Sequence, residues 1–122
     1  MGRRLARDEE REQRISMEIV ADAYGPEEQA MGWYCSLEDQ LGFPFLARCV
    51  AERAISPLRV GDDLEVVGMA PGEECAHEMF VLTRWERGTL AVPLAQLEAV
   101  AVDEPTRQAV EDWQYWVARY EL

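Results

Sequence analysis

At 122 residues, with 24 Asp and Glu against 12 basic residues and a net charge of −12, the chain is sized for one core and too acidic to track phosphate backbones or anionic lipid. All 12 basic residues are Arg, and residues 25–122 hold seven of them against eighteen acids, so the acidity lies almost entirely beyond the first helix. With no apolar run of about 18 residues and no leader pattern behind Met1, the composition predicts a single soluble, cytoplasmic domain over residues 1–122, with no membrane and no nucleic-acid partner.

From Arg3 to Tyr24 no Gly or Pro intervenes, which predicts a helix over residues 3–24. Its apolar stripe of Ile15, Ile19, Val20, Ala23 and Tyr24 fills only the second half. That half should dock, leaving the mixed-sign stretch from Arg3 to Arg14 as a solvated face. Gly25-Pro26-Glu27-Glu28 ends this helix and starts another over 26–41, with Ala30, Tyr34, Leu37 and Leu41 on a buried face widened by Met31 and Trp33.

The second helix closes on Glu38 and Asp39 before Gly42-Phe43-Pro44 stops it. Carboxylates there face the negative end of the helix dipole, at a cost of about 0.3–1 kcal/mol each. No Arg lies within four positions of either. A bound cation would offset the conflict, and the free carbonyls of the same turn are oxygen ligands too.

Residues 45–52 alternate as an edge strand, and 53–62 connect, with Asp62 and Asp63 as turn acceptors. Strands then follow over 63–70, 79–86 and 89–94. In the first, Leu64, Val66 and Gly68 share one face while Glu65, Val67 and Met69 share the other. Gly88 supplies the positive φ of the hairpin between the next two. The loop from Ala70 to Glu78 carries Glu73, Glu74 and Glu78 without one basic residue.

A last strand over 98–102 leads through Asp103-Glu104-Pro105, a helix start, into a helix over 105–119 that buries Val110, Trp113, Val117 and Tyr120. There Glu111 has Arg107 one turn back, whereas Asp112 has no cation along the helix. The expected class is α+β: a small antiparallel SH3-like β-barrel or sheet with two N-terminal helices and one C-terminal helix.

Catalytic chemistry finds little support, and the chain is expected not to be an enzyme. The sole His77 and Cys75 share the acidic loop, where Glu73, Glu74 and Glu78 would disfavour a thiolate. Cys35, Cys49, Cys75 and His77 are zinc ligands by type but lack the usual spacing, so three reduced thiols are the simpler reading. Phosphate-loop and nucleophile-elbow motifs are absent. What the composition offers is hard oxygen, the chemistry of calcium, yet no EF-hand loop occurs and a site must be assembled from separate segments.

Several runs carry a resemblance: Glu10-Arg11-Glu12-Gln13-Arg14-Ile15-Ser16-Met17-Glu18-Ile19-Val20, Ala30-Met31-Gly32-Trp33-Tyr34 with Leu37-Glu38-Asp39 and Phe43-Pro44-Phe45, Val66-Val67-Gly68-Met69-Ala70-Pro71, Glu78-Met79-Phe80-Val81, Leu90-Ala91-Val92-Pro93-Leu94, and Glu111-Asp112-Trp113 with Tyr115-Trp116-Val117. In this order they resemble the CcbP-type calcium-binding proteins, a bacterial family first recognised in cyanobacteria. The resemblance implies a cytoplasmic, non-EF-hand calcium (Ca2+) binder, which in cyanobacteria is a buffer linked to cell differentiation.

Two functional readings follow. The first is calcium binding, with Asp39 and Glu38 as primary carboxylates and Glu73, Glu74, Glu78 and Asp112 as candidates for a second cluster. The second is an SH3-like interaction module that takes a basic, unidentified protein partner in a groove lined by Trp33, Trp85, Trp113 and Trp116.

Overall fold

A computed structural model describes residues 8–21 and 23–120. Residues 3–7 and Asp22 of the expected first helix lie outside the described residues. Helix α1 spans Glu9–Arg14, capped by Asp8, whose carboxylate accepts from the Arg11 amide at 3.0 Å. It runs directly into a π-helical turn, Ile15–Ile19, where the Val20 amide donates back five residues to the Ile15 carbonyl at 3.0 Å.

Helix α2 spans Pro26–Gln40 and α3 spans Glu104–Tyr120. Between them lie β1 (Phe45–Cys49), β2 (Asp63–Met69), β3 (Phe80–Trp85), β4 (Gly88–Pro93) and β5 (Leu97–Val100). All pairings are antiparallel, and the open sheet has the order β4-β3-β2-β1-β5. The α+β class is as the sequence predicts.

Strand β1 is interior rather than at the edge. It pairs Ala47 with Leu64 of β2 on one side and with Ala99 of β5 on the other, because the last strand returns beside the first. In β2 the expected faces also change. A bulge between Val66 and Gly68 inserts one residue, so Met69 joins Leu64 and Val66 on the buried side instead of opposing them. The β3–β4 connection is two residues, with the positive φ (52°) at Glu86, while Gly88 is already paired to Trp85 in the ladder.

The core lies between this sheet and the paired helices α2 and α3. Trp33 of α2 meets Trp113 of α3 edge-on at 5.0 Å and Trp116 at 5.8 Å. These three indoles are buried and Trp85 is half-buried, so the expected tryptophan-lined docking groove is not formed. Ile15 enters the core from the π turn. Tyr24 and Met31, expected to be apolar contacts, are 91% and 65% exposed: the chain leaves the helical path after Ile19, and α2 turns only its Trp33–Leu37 side inward.

The approach of the π turn to α2 depends on Gly32. A Cβ at that position would stand 2.3 Å from the Ile19 carbonyl oxygen, far inside contact distance. No described helix is long and apolar enough to cross a membrane.

Candidate metal site

In the described part of the mixed-sign stretch Glu9, Glu10 and Gln13 are exposed, as a solvated face requires, but Arg11, Glu12 and Arg14 are not: they meet α3 in a polar seam. Glu12 is only 7% exposed and accepts hydrogen bonds from the Tyr115 and Tyr120 hydroxyls, both at 2.7 Å, with Arg119 Nε 3.4 Å away. Burial and then the bond to Glu12 push the Tyr115 phenol up, while for Tyr120 the bond to Glu12 comes first and burial second.

Two residues further along α1, Arg14 grips Asp112 in a fork. Nη2 donates to Oδ1 at 2.6 Å and Nε to Oδ2 at 3.2 Å. The hydrogen bond to Asp112 raises the Arg14 pKa against the opposing effect of burial. Arg11 adds a longer contact to Asp112 at 3.5 Å, and it also reaches Glu111 and Asp8. Asp112 itself is 3% exposed, so the cation missing along its own helix is supplied by tertiary structure.

Beside that pair opens a cleft of about 470 Å³ between the π turn, the end of α2 and the start of α3. Asp39 lines it together with Glu18, Gln40, Gln108, Arg14 and Asp112. Helix α2 ends here because Leu41 turns extended (φ −76°, ψ 125°) and Gly42 hands its amide to the Thr106 hydroxyl at 2.8 Å. Asp103 caps α3 in the same corner. It accepts from the Thr106 amide at 2.9 Å, and the Thr106 hydroxyl and amide together hold its carboxyl below the usual range.

Asp39 is exposed, sits in a last turn with no basic residue, and has an ion-pair partner nowhere among the described residues; its one polar neighbour is the Gln40 amide at 3.4 Å. Glu38 is exposed beside it but does not line the cleft. Its charge falls on Tyr34, whose phenol is raised first by burial and then by Glu38.

The acidic loop is elsewhere. Residues Gly72–Cys75 form a short 3₁₀ turn packed against α2, with Glu73 and Glu74 exposed. Glu73 lines a second cleft, of about 400 Å³, with Glu27, Tyr34 and His77. Glu78 is held by Arg53. Asp112 thus sits with Asp39 rather than with the loop acids. Among the described residues no three His, Cys, Asp or Glu side chains converge tightly enough to hold a metal as they stand.

The zinc reading fails on the same ground. Cys49 and Cys75 are buried and Cys35 is exposed, all free thiols. Burial, more than the nearby Glu74, pushes the Cys75 thiol up.

Sequence reasoning missed Glu12, Arg14 and Glu18. A regular helix sets Glu18 over Arg14 at i,i+4, but the chain turns π-helical over Ile15–Ile19, and Glu18 comes to line the cleft with Arg14 and the end of α2. A buried Glu and a fork across 98 residues leave no local signal.

The donors around the first cleft are mainly side-chain oxygens of Glu18, Ser36, Asp39, Gln40, Gln108 and Asp112, with Cys35 the soft exception. Such a set suits a hard cation. The cleft of this acidic α+β domain thus brings together oxygen donors from separate elements, and the sequence contains no EF-hand loop. The calcium-binding CcbP family model matches residues 13–117, and the chain belongs to that family.

Two solved structures are similar over nearly the whole length. One is Anabaena CcbP, 40% identical, covering 94% of each chain with a TM-score of 0.83. The other is a calcium-binding protein in the calcium-binding form, 40% identical, covering 92% of each chain with a TM-score of 0.80. Among curated proteins none matches.

Proposed function

We propose that the protein binds calcium as a cytoplasmic, non-catalytic buffer or sensor, with Asp39 at the end of α2 as the leading carboxylate. The observation that carries this is the position of Asp39: exposed, against the negative end of a helix, without an ion-pair partner among the described residues, on a cleft of oxygen donors. Family membership and the similarity to a structure in the calcium-binding form support the choice of ion.

Asp112 and Glu18 are the further carboxylates on the cleft, and Glu38 stands beside Asp39 in the sequence. Calcium accepts six to eight oxygens at flexible angles, which suits groups that line a cleft without meeting at a point, whereas magnesium demands a tight octahedron. Glu73 and Glu74 on the 3₁₀ turn are the residues open for a second, weaker site; Glu78 is the less available of the loop acids because Arg53 already neutralises it.

Calorimetric titration of the metal-free protein at physiological salt tests the reading. Calcium should give saturable heat that magnesium does not. Equal heats for the two ions, or none, would dismiss it.

A further inference from the structure

The cleft already contains a cation. Arg14 reaches into it from the last position of α1 and takes both oxygens of Asp112, the most buried carboxylate on its wall. An uncompensated charge at so buried a position is strongly unfavourable, so Asp112 can be released by Arg14 only to another cation. A guanidinium and a divalent ion cannot share one carboxylate in the same fork without repelling each other.

The surroundings offer the displaced group a destination. Glu18, four residues on, and Asp8 both attract the Arg14 guanidinium, and the Arg14 side chain is one-quarter exposed. Arg11 is the other cation near Asp112. Its contact is longer and it is shared with Asp8 and Glu111, so it does not close the fork.

We propose that Arg14 is an intramolecular competitor for calcium: it holds Asp112 until calcium takes that carboxylate, and so sets the affinity of the cleft. This inference rests on the calcium reading above. Its physical content is a swap in which one Arg–Asp fork opens as the ion enters, lowering affinity relative to a cleft with a free Asp112. The function of such a competitor is to keep the protein empty at low calcium without loss of the fold.

The test compares calcium titrations of the wild type, Arg14→Gln, Asp112→Asn, the Arg14→Gln/Asp112→Asn pair, and Arg84→Gln. The last removes an exposed Arg paired with Glu65 on the sheet and changes net charge equally. Arg14→Gln should tighten calcium binding about tenfold, the size of one charged hydrogen bond at a partly buried site, and Arg84→Gln, at an exposed pair, by less than about twofold. With Asp112 already neutral, adding Arg14→Gln should change nothing.

Melting of the metal-free proteins gives a second readout. Arg14→Gln should melt below the wild type and gain more from calcium, while the neutral pair, whose shapes are kept, should recover metal-free stability. Should Arg14→Gln be too unstable without metal, a tightening from Asp112→Asn to the double variant would still overturn the proposal. Unchanged or weaker calcium affinity in Arg14→Gln, the same tightening in Arg84→Gln, or a tightening that persists on the Asp112→Asn background would overturn the proposal. The wild-type titration separately decides whether calcium binds at all; an absence of calcium heat in every variant defeats both readings.

Discussion

The seam between α1 and α3 and the carboxyl end of α2 use the same side chains in opposite ways. In the seam Glu12 and Asp112 are buried, and each is met by Arg or Tyr donors from another element. At the end of α2, Asp39 is exposed, with no such donor among the described residues and an unfavourable dipole behind it. Burial obliges a charge to find a partner, and exposure allows it to wait for one. The contrast separates Glu12, committed to the fold, from Asp39, free to meet a solute, with Asp112 between them: buried and held by Arg14, yet on the wall of the Asp39 cleft.

The largest expected effect is in the seam. Glu12→Ala removes the acceptor for two tyrosine hydroxyls and a partner of Arg119. Loss of a buried charged partner costs about 3 kcal/mol or more, which for this length is a fall on the order of 10 °C in melting temperature. Calcium affinity per folded molecule should change little. A variant that melts normally would show that the seam is not what holds α1 down.

Gly32→Ala comes next and touches both regions, since Gly32 packs on the π turn and also lines the cleft. The added Cβ meets a backbone oxygen that has no rotamer to move. Overpacking of this kind costs about 1–3 kcal/mol. Both the melting temperature and the calcium affinity should fall, and a loss of only one would mean that the cleft wall and the seam are mechanically independent.

A pH scan sharpens the comparison further. Tyr115 and Tyr120 have folded pKa values raised above the ordinary 10.0, so the folded state holds their protons more tightly than the unfolded chain. Their contribution is therefore complete below pH 10.0 and is lost as pH rises beyond it toward the raised values. Melting temperature should bend downward in that range, and a Tyr115→Phe/Tyr120→Phe variant should bend less. If the bend is unaltered, other groups carry the alkaline transition.

Much of this contrast is hidden in the sequence. Helix starts at Pro26 and Asp103, the β3–β4 hairpin and the exposed Asp39 at a helix end are local features, decided within a turn or two, and the structure places them where periodicity and capping indicate. The interior position of β1 and the burial of Glu12 and Asp112 depend on pairings between residues 50 to 110 positions apart. The bulge in β2 and the π turn are one-residue insertions into regular elements, which fixed periods of two and 3.6 cannot register.

Asp39→Asn gives the smallest effect on the fold and the most informative one on function. In metal-free protein it should leave stability unchanged or raise it by up to about 1 kcal/mol, because the helix end loses an unfavourable charge. Melting temperature against calcium, magnesium and sodium at matched ionic strength, for the wild type and this variant, tests the central claim most directly. At a hundredfold excess over its dissociation constant calcium stabilises a single site by roughly 2.7 kcal/mol, a rise of roughly 10 °C for a domain of this length. The wild type should show that rise with calcium, far less with magnesium, and Asp39→Asn should lose most of it. Coincident calcium and magnesium curves, or a full calcium shift in Asp39→Asn, would contradict the assignment.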